Sequence, residues 1–332
     1  MKKIMCVLLS GIFVLTAASC REEPSATSSS SSSSHGTSVS TEGITGEGEY
    51  HHEFNPHVYP KIYEDNFDEA TKNSFFSLCD ALLSGSEEFE CPDPVTLFNI
   101  KDHISGQCMP LVDSYVKIDE GTIEYTIPKD QYLAKVDEFK KMIIEILDEC
   151  DKPEYSDVDT ALALYTYFET HYTYDDEAAK DDNTTPLSSY RLLTEKTGIC
   201  QEIAPAYAYL MLQSGIDCTT CGSLNNINEA HEWAFATLDG EYYHIDPTFV
   251  ISDPETLQYF GMTDEQRHNE GGWDVNILNF GLANIFDDRG IYKAESKRFE
   301  PLWDSVTYEV DYDSNTIDYY KLSDASKQEF TY

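Results

Sequence analysis

Basic residues are scarce in this sequence of 332 residues. Only 22 lysines and arginines stand against 61 aspartates and glutamates, which gives a formal net charge of −39 at pH 7. A surface of this charge would repel the phosphates of nucleic acid, so we expect no nucleic-acid partner. The acidity instead favours solubility and would attract cationic substrates.

Long hydrophobic runs are absent apart from one, where two lysines precede the apolar stretch 4–18. This stretch is too short to span a membrane as a helix and is typical of a signal peptide, which we place at residues 1–19. Residues 17–20, Ala-Ala-Ser-Cys, resemble a bacterial lipobox with Ala17 in place of the commoner leucine. We therefore expect Cys20 to carry a lipid; ordinary secretory cleavage near Ala18 is the alternative.

The serine-rich stretch at 20–57 has too few apolar residues to bury a core. We interpret it as a flexible, polar tether without secondary structure of its own. A lipid on Cys20 followed by such a tether predicts a protein anchored to the cell membrane and facing the extracellular side.

Complete metal and redox motifs are also lacking. The acidic clusters 175–177 and 181–182 could bind calcium, but neither has the spacing and glycine of an EF-hand. Cys218-Thr-Thr-Cys221 has redox or zinc spacing, yet zinc needs two further ligands, and small residues of a strand are the simpler interpretation. We expect no metal and no cofactor. An even set of six further cysteines allows three disulfides or none: Cys79, Cys91, Cys108, Cys150, Cys218 and Cys221.

The remaining sequence predicts an α+β fold in three parts. Residues 58–152 form an N-terminal accessory region, with a helix at 61–83, a hairpin at 114–128 and an amphipathic helix at 129–150. Residues 153–300 form the core, in which the polar insert 224–230 looks like a loop. Residues 301–332 form a C-terminal β-hairpin with strands at 306–310 and 316–322.

A cysteine, a histidine and an aspartate occur in three different local patterns of the core. Cys200 follows Gly-Ile just ahead of a helical run, His231 begins the strand-like HEWAFATL, and Asp246 lies in YYHIDPTF. A thiol nucleophile, its base and the residue that orients the base would look like this in a sequence. Each also has a structural interpretation, as a buried thiol, a polar strand end and the start of a turn.

The geometry of the histidine and the aspartate follows from Asp239-Gly240, a strong signal for a two-residue type I′ hairpin loop. Side chains alternate along strands, so His231 and Asp246 would share one face as diagonal cross-strand neighbours. The opposite face is apolar and suits a core. The predicted cross-strand pairs are Leu238 with Glu241, Phe235 with His244, Trp233 with Asp246, and His231 with Thr248.

Cys200 precedes a helix that we place at 203–215 and that ends at Gly215. A helix N-terminus lowers the pKa of a thiol, and its amide groups can bind an oxyanion. Pro205 fits if it lies in the first helical turn, and otherwise it kinks the helix.

At this point residues 156–249 resemble the transglutaminase-like superfamily of papain-like cysteine acyltransferases and peptidases. The similarity rests on Tyr-x-Tyr-Asp at 172–175, Gly-Ile-Cys at 198–200, HEWAF at 231–235 and DGEYYHIDPTF at 239–249. The resemblance implies a helix packed on an antiparallel sheet, with Cys200 as nucleophile, His231 as base and Asp246 as orienter. Gln201-Glu202 and Pro205 depart from the family pattern.

Three further residues are candidates for supporting roles around these three. Tyr174 could donate its hydroxyl to an oxyanion. His244 lies on the predicted catalytic face, where it would either contact the reacting residues without reacting itself or be the second candidate for the base. Trp233 would pack beneath the site.

We therefore expect a cysteine-dependent hydrolase or acyltransferase that acts on amide or peptide bonds through a thioester. Its substrate would be a protein or peptide, and the acidity of the chain favours a cationic one. The alternative is a catalytically idle form of the same fold that binds proteins or glycans at the cell surface.

Overall fold

A computed structural model of the chain describes residues 50–104, 115–180, 187–223, 231–271, 277–278 and 291–332. The predictions for the signal peptide, Cys20, most of the tether, Cys108, Asp181-Asp182 and the insert 224–230 lie outside these residues.

The helix predicted at 61–83 is two helices. Asp68 separates them, because its carboxylate accepts a hydrogen bond from the Thr71 amide and so caps the second helix. The elements of this part are α1 (Lys61–Asn66), α2 (Glu69–Ser84), α3 (Pro94–Phe98) and a π-helical segment (Asn99–Ile104).

The hairpin and the amphipathic helix that follow are confirmed. Strands β1 (Val116–Asp119) and β2 (Thr122–Tyr125) pair antiparallel around a Glu-Gly turn. Helix α4 (Lys129–Cys150) has the predicted bounds, and its apolar stripe is buried. α4 packs against α2 and against the helix that follows it.

The region that leads to Cys200 contains two helices and two short parallel strands. The capping box of Ser156 and Asp159 starts the first helix as predicted. The strands pair with each other and so bring residues 173–174 beside 197–198. The elements are α5 (Asp157–His171), β3 (Thr173–Tyr174), a 3₁₀ turn (Ala178–Lys180), α6 (Ser189–Glu195) and β4 (Thr197–Gly198).

Helix α7 (Cys200–Gln213) is the centre of the fold. Every residue from Glu202 to Leu212 is buried, as expected of a helix covered on all sides. It starts three residues earlier than predicted, so Cys200 is its first residue and Pro205 lies inside it, beyond the first turn. The helix packs against α5, α6 and the main sheet.

The main sheet has four antiparallel strands in the order β7-β6-β5-β8. Asp239 and Gly240 have φ values of +51° and +83°, as a type I′ loop requires. The predicted pairs Leu238–Glu241 and Phe235–His244 are confirmed. The strands are β5 (Cys218–Ser223), β6 (His231–Leu238), β7 (Glu241–Ile245) and β8 (Ile277–Leu278).

One expectation about this hairpin is wrong. The ladder ends at Ile245, because Asp246 starts helix α8 (Pro247–Ser252), so the pairs predicted for Trp233 and His231 do not form. Both faces of β6 are buried, the face that carries His231 as well as the face that carries Ala234 and Ala236.

The C-terminal part begins with helix α9 (Asp264–Asn269) and a 3₁₀ turn (Glu300–Asp304). The predicted hairpin is confirmed as β9 (Ser305–Asp311) and β10 (Thr316–Lys321). A third strand that we did not predict, β11 (Lys327–Thr331), pairs antiparallel with β10.

No helix within the described ranges is long and apolar enough to cross a membrane. Within the same ranges, no disulfide joins the cysteines to one another: Cys79, Cys91, Cys150, Cys200, Cys218 and Cys221.

One close contact positions the chain that leads from the sheet to α9. Gly261 has a φ of +65°, and an added Cβ would lie 2.3 Å from a ring carbon of Phe299. The next residue, Met262, exchanges two backbone hydrogen bonds with His244 of β7. A glycine at 261 therefore lets the Phe299 ring lie directly on this segment.

We predict that Gly261→Ala lowers the free energy of unfolding by more than about 2 kcal/mol, measured by urea denaturation. Positive φ costs an alanine about 1–2 kcal/mol and overpacking adds about 1–3 kcal/mol. Gly215→Ala is the matched control, since Gly215 has a φ of +82° but no atom within 4 Å of its added Cβ. Equal losses in the two variants would contradict the steric role of Phe299.

Candidate active site

The structure brings His231 and Asp246 together. The Nε2 atom of His231 lies 2.7 Å from Oδ2 of Asp246, and both side chains are buried. A carboxylate can only accept a hydrogen bond, so Nε2 carries the hydrogen. The cross-strand register on one side and the start of α8 on the other produce this contact.

The Asp246 carboxylate has two further partners. Its Oδ1 accepts from the Thr248 amide at 3.1 Å, which caps α8, and its Oδ2 also accepts from Nη1 of Arg267 at 2.7 Å. Burial alone would raise the pKa of the Asp246 carboxyl, but His231, Arg267 and the Thr248 amide together hold that pKa below its usual value. Asp246 is therefore an ionised, fully buried acceptor.

Aromatic rings enclose the His231 imidazole. The Trp233 ring is stacked on it with centroids 5.6 Å apart, and the Phe249 ring meets it edge-on at 5.1 Å. The Arg267 guanidinium lies 5.1 Å from the centroid of the Trp233 ring. Packed rings of this kind restrict the orientation of the imidazole.

His244 belongs to a second hydrogen-bonded chain on the same sheet. Trp233 donates its indole hydrogen to Nδ1 of His244 at 2.9 Å, and His244 Nε2 lies 2.8 Å from Oδ1 of Asp264. An indole N–H can only donate, so His244 carries its hydrogen on Nε2. The sulfur of Cys221 lies 3.7 Å from Nδ1 of His244. With both ring nitrogens engaged, His244 is better suited to hold Trp233 than to act as a base.

Cys200 is fully buried at the first position of α7, the helix that packs on β6. Glu202 stabilises the start of this helix, because its Oε2 accepts from the Ile199 amide at 3.1 Å. A carboxylate this close would oppose a thiolate on Cys200, but Arg191 offsets its charge.

Arg191 reaches Glu202 from helix α6. Its Nε donates to Oε1 of Glu202 at 2.8 Å, and its Nη2 donates to the other oxygen in a bidentate pair. Nη1 of the same guanidinium donates to Asp175 at 2.9 Å. These carboxylates raise the pKa of Arg191 above its already high value, with the Glu202 hydrogen bonds as the largest cause.

The backbone of Tyr174 lies beside the segment that leads to Cys200. It pairs with Gly198, two residues before Cys200, and its side chain is half-buried. The oxyanion role of its hydroxyl stays a prediction.

The acidic cluster that begins at Asp175 has protein partners in the structure. Asp175 accepts from the Ala178 amide at 2.9 Å and also binds Arg191. Among the residues described, no group of three or more histidines, cysteines and carboxylates is arranged to hold a metal ion.

Arg267 is a residue of the site that no sequence pattern indicated. It lies 21 residues beyond Asp246 in a short polar helix, where a single arginine is typical of a solvent-facing position. The start of that helix has a signal in the sequence, because threonine is a favoured N-cap residue and Thr263 accepts a hydrogen bond from the Gln266 amide. The burial of the arginine has no such signal.

Helix α7 packed on an antiparallel sheet, with helices around it, defines an α+β fold of the transglutaminase-like type. Residues 144–247 match the family model described as the transglutaminase-like superfamily. The match covers the region from the end of α4 to the first turn of α8 and contains Cys200, His231 and Asp246. The similarity to this superfamily is therefore a finding about residues 144–247.

Three solved structures are similar to parts of the chain. One is a proposed cysteine protease from Cytophaga hutchinsonii, 19% identical, with a TM-score of 0.27, covering 32% of this chain and 37% of that one. The second is the periplasmic domain of TgpA from Pseudomonas aeruginosa bound to ethylmercury, also 19% identical with a TM-score of 0.27, covering 34% of this chain and 44% of that one. The third is a TGase, 18% identical with a TM-score of 0.30, covering 48% of this chain and 49% of that one.

This chain thus spans less than half of each of those chains. Likeness at this level carries no argument about activity, which rests on the residues of the site itself. No curated protein matches the sequence.

We predict that Glu202→Gln lowers the free energy of unfolding by about 3 kcal/mol, because it breaks a buried ion pair and weakens the cap of α7. Urea denaturation measures the loss. Glu195→Gln is the matched control: Glu195 binds the same arginine at 3.3 Å but is 57% exposed. We expect its loss to stay below about 1 kcal/mol. Similar losses in both variants would contradict a special role for the buried pair.

We predict that Asp246→Asn costs about 3–5 kcal/mol near neutral pH, because Arg267 and His231 then lack their buried carboxylate. A carboxyl whose folded pKa is lowered stabilises the fold above its unfolded pKa of about 3.9, and that stabilisation is lost as the pH falls through the folded value. The difference between wild type and variant should therefore shrink below about pH 4, by up to about 1.4 kcal/mol per pH unit. Urea titrations between pH 3 and 6 measure it, and a difference unchanged at pH 3 would contradict the assignment.

Proposed function

We propose that the protein is a cysteine-dependent hydrolase or acyltransferase of amide or peptide bonds, with Cys200 as nucleophile, His231 as base and Asp246 as orienter. The observation that carries the proposal is the buried hydrogen bond between His231 and Asp246. A buried, ionised carboxylate on one imidazole nitrogen holds the ring in one tautomer and stabilises the imidazolium.

The tautomer selects the reactive nitrogen. Because Nε2 of His231 is bonded to Asp246, the nitrogen that would exchange a proton with Cys200 is Nδ1. Helix α7, which begins with Cys200, packs on β6, which begins with His231. Cys200 and His231 are thus the first residues of two elements that pack against each other, which supports their assignment as nucleophile and base.

The reaction would proceed in two stages. The Cys200 sulfur attacks the carbonyl carbon and its proton passes to Nδ1 of His231; the C–N bond then breaks, and the imidazolium gives this proton to the leaving amine. The thioester left on Cys200 is attacked by water or an amine, which loses a proton to His231. The C–S bond then breaks, and the imidazolium returns this proton to the Cys200 sulfur, which restores the thiol and the neutral imidazole. Water gives hydrolysis, which the family resemblance favours, and an amine gives cross-linking.

The surroundings of Cys200 support a thiolate. The first turn of a helix carries a positive partial charge and amide groups that can bind an oxyanion. The Arg191 guanidinium offsets the charge of Glu202, the carboxylate that caps this turn. Tyr174 is the candidate for an additional oxyanion donor.

The sequence supports two further parts of the proposal. A lipid on Cys20 would anchor the protein to the cell membrane on the extracellular side, with the serine-rich stretch as tether. The net charge of −39 would draw cationic proteins or peptides towards it as substrates.

One observation favours the alternative, a catalytically idle module that binds proteins or glycans. Cys200 is 0% exposed and His231 is 2% exposed. A nucleophile must be reached by its substrate, whereas a structural thiol can remain enclosed. The two functions therefore differ in whether Cys200 reacts in the folded protein.

We predict that iodoacetamide labels Cys200 at pH 6 at least about tenfold faster in wild type than in His231→Ala. An ordinary thiol of pKa about 8.5 is almost wholly protonated at pH 6, whereas a thiolate paired with an imidazolium is not. Peptide mapping between pH 4 and 9 measures the labelling of each cysteine separately.

Two cysteines are internal controls for this experiment. Burial raises the pKa of Cys79, which is as enclosed as Cys200, and also raises that of the half-buried Cys91. Both should label only at alkaline pH, and His231→Ala should not affect them. If Cys200 behaves like Cys79, or labels only in urea, the enzyme proposal is wrong and the binding module replaces it.

A further inference from the structure

The oxygen that binds His231 is shared with a permanent positive charge. Oδ2 of Asp246 lies 2.7 Å from Nε2 of His231 and 2.7 Å from Nη1 of Arg267. Both basic side chains therefore compete for one buried atom. A cysteine, histidine and aspartate alone need no such arginine.

The guanidinium is enclosed on several sides. It lies 5.1 Å from the centroid of the Trp233 ring and 5.5 Å from that of Phe249, and its Nη2 donates to the Glu270 carbonyl at 3.4 Å. Arg267 is 0% exposed, so water screens its charge little. Its helix, α9, also supplies Asp264 to the chain that holds Trp233 through His244.

The remaining titratable groups around the pair do not replace this charge. Tyr165 on α5 and Tyr259 both lie within electrostatic reach of Asp246. Burial raises the pKa of Tyr165 and, with nearby carboxylates, raises that of Tyr259 to about 12, so both phenols are neutral near pH 7. His244 is held by hydrogen bonds to Trp233 and Asp264. Cys200 lies at the start of α7, the helix that packs on β6 and α8.

We propose that Arg267 is a positioning residue that sets the proton affinity of the His231–Asp246 pair, an inference that rests on the proposed function. With Arg267 present, the carboxylate is already paired, so a neutral His231 leaves the cluster with no net charge. Protonating His231 then adds a positive charge beside another one. The counter-charge for the imidazolium must consequently come from the Cys200 thiolate rather than from Asp246 alone.

The consequence for the chemistry is a weaker hold on the transferred proton. A general acid and base works best when its proton affinity is matched to the working pH. If the buried carboxylate were bonded only to His231, the imidazolium would keep its proton to high pH. Loss of that proton would leave the carboxylate as an uncompensated negative charge in the interior. Arg267 removes that penalty and frees the imidazolium to protonate the leaving amine.

The test follows the His231 ring by NMR in protein labelled with ¹³C-histidine, in a Cys200→Ala background that removes the thiol. The His231 resonance is assigned by its absence in His231→Gln. In Arg267→Gln and Arg267→Met, which lack the charge, the titration midpoint of the ring should rise by at least about one pH unit relative to the parent. A merely structural role would lower the melting temperature without this upward shift.

Two controls separate charge from packing. Arg267→Lys keeps the charge and should leave the midpoint near that of the parent. Arg298→Gln removes the exposed ion pair of Arg298 with Asp239 at the hairpin turn and should not move it. No rise in either uncharged variant, or a fall, overturns the inference. If neither uncharged variant folds, Arg267→Lys decides it, and a rise of one unit there overturns it.

The result of the His231 titration does not depend on whether Cys200 reacts. Cys200 labelling in wild type and His231→Ala tests the proposed function, whereas the His231 titration needs no thiol. Fast labelling that depends on His231, together with an unchanged midpoint in Arg267→Gln, would leave the proposed function standing and remove the role of Arg267. Slow labelling together with a raised midpoint would remove the proposed function and leave the role of Arg267 standing.

Discussion

The buried carboxylate of Asp246 joins four elements of the fold. It lies where β7 ends, caps α8 through the Thr248 amide, and receives His231 from β6 and Arg267 from α9. An ionised group in the interior is tolerated only when its partners compensate it, so these elements must be in place together. The orientation of His231 thus depends on the same contacts that hold this end of the sheet together.

A second buried charge organises the other half of the site. Glu202 caps the helix that starts at Cys200, and Arg191 neutralises it from α6. The parallel pairing of Tyr174 with Gly198 adds the chain segment that precedes the helix. The nucleophile candidate and the base candidate are each held by an arginine–carboxylate pair, and in each pair the arginine comes from a different helix than the carboxylate. Because both pairs are almost free of solvent, their strength depends little on ionic strength.

Much of this arrangement could be predicted from local patterns. Asp239-Gly240 set the hairpin register, the Ser156–Asp159 box set the start of α5, and the apolar period set the bounds of α4. These features depend on neighbours in the chain or on one adjacent strand, which is why a sequence can reveal them. The break at Asp68 and the added strand β11 escaped prediction, because a capping carboxylate can also sit within a helix and a polar edge strand has a weak pattern.

The sequence by itself determined the hairpin loop at Asp239-Gly240, the strand register next to it and the bounds of α4, because propensity, capping and turn chemistry act over a few residues. Only the tertiary structure decided that Asp246 would be shared between His231 and Arg267, and that both faces of the strand carrying His231 would be buried. The physical reason is that a charge has no local signature of burial. Arg267 lies in a polar stretch and becomes a buried cation only when α9 packs over Trp233 and Phe249.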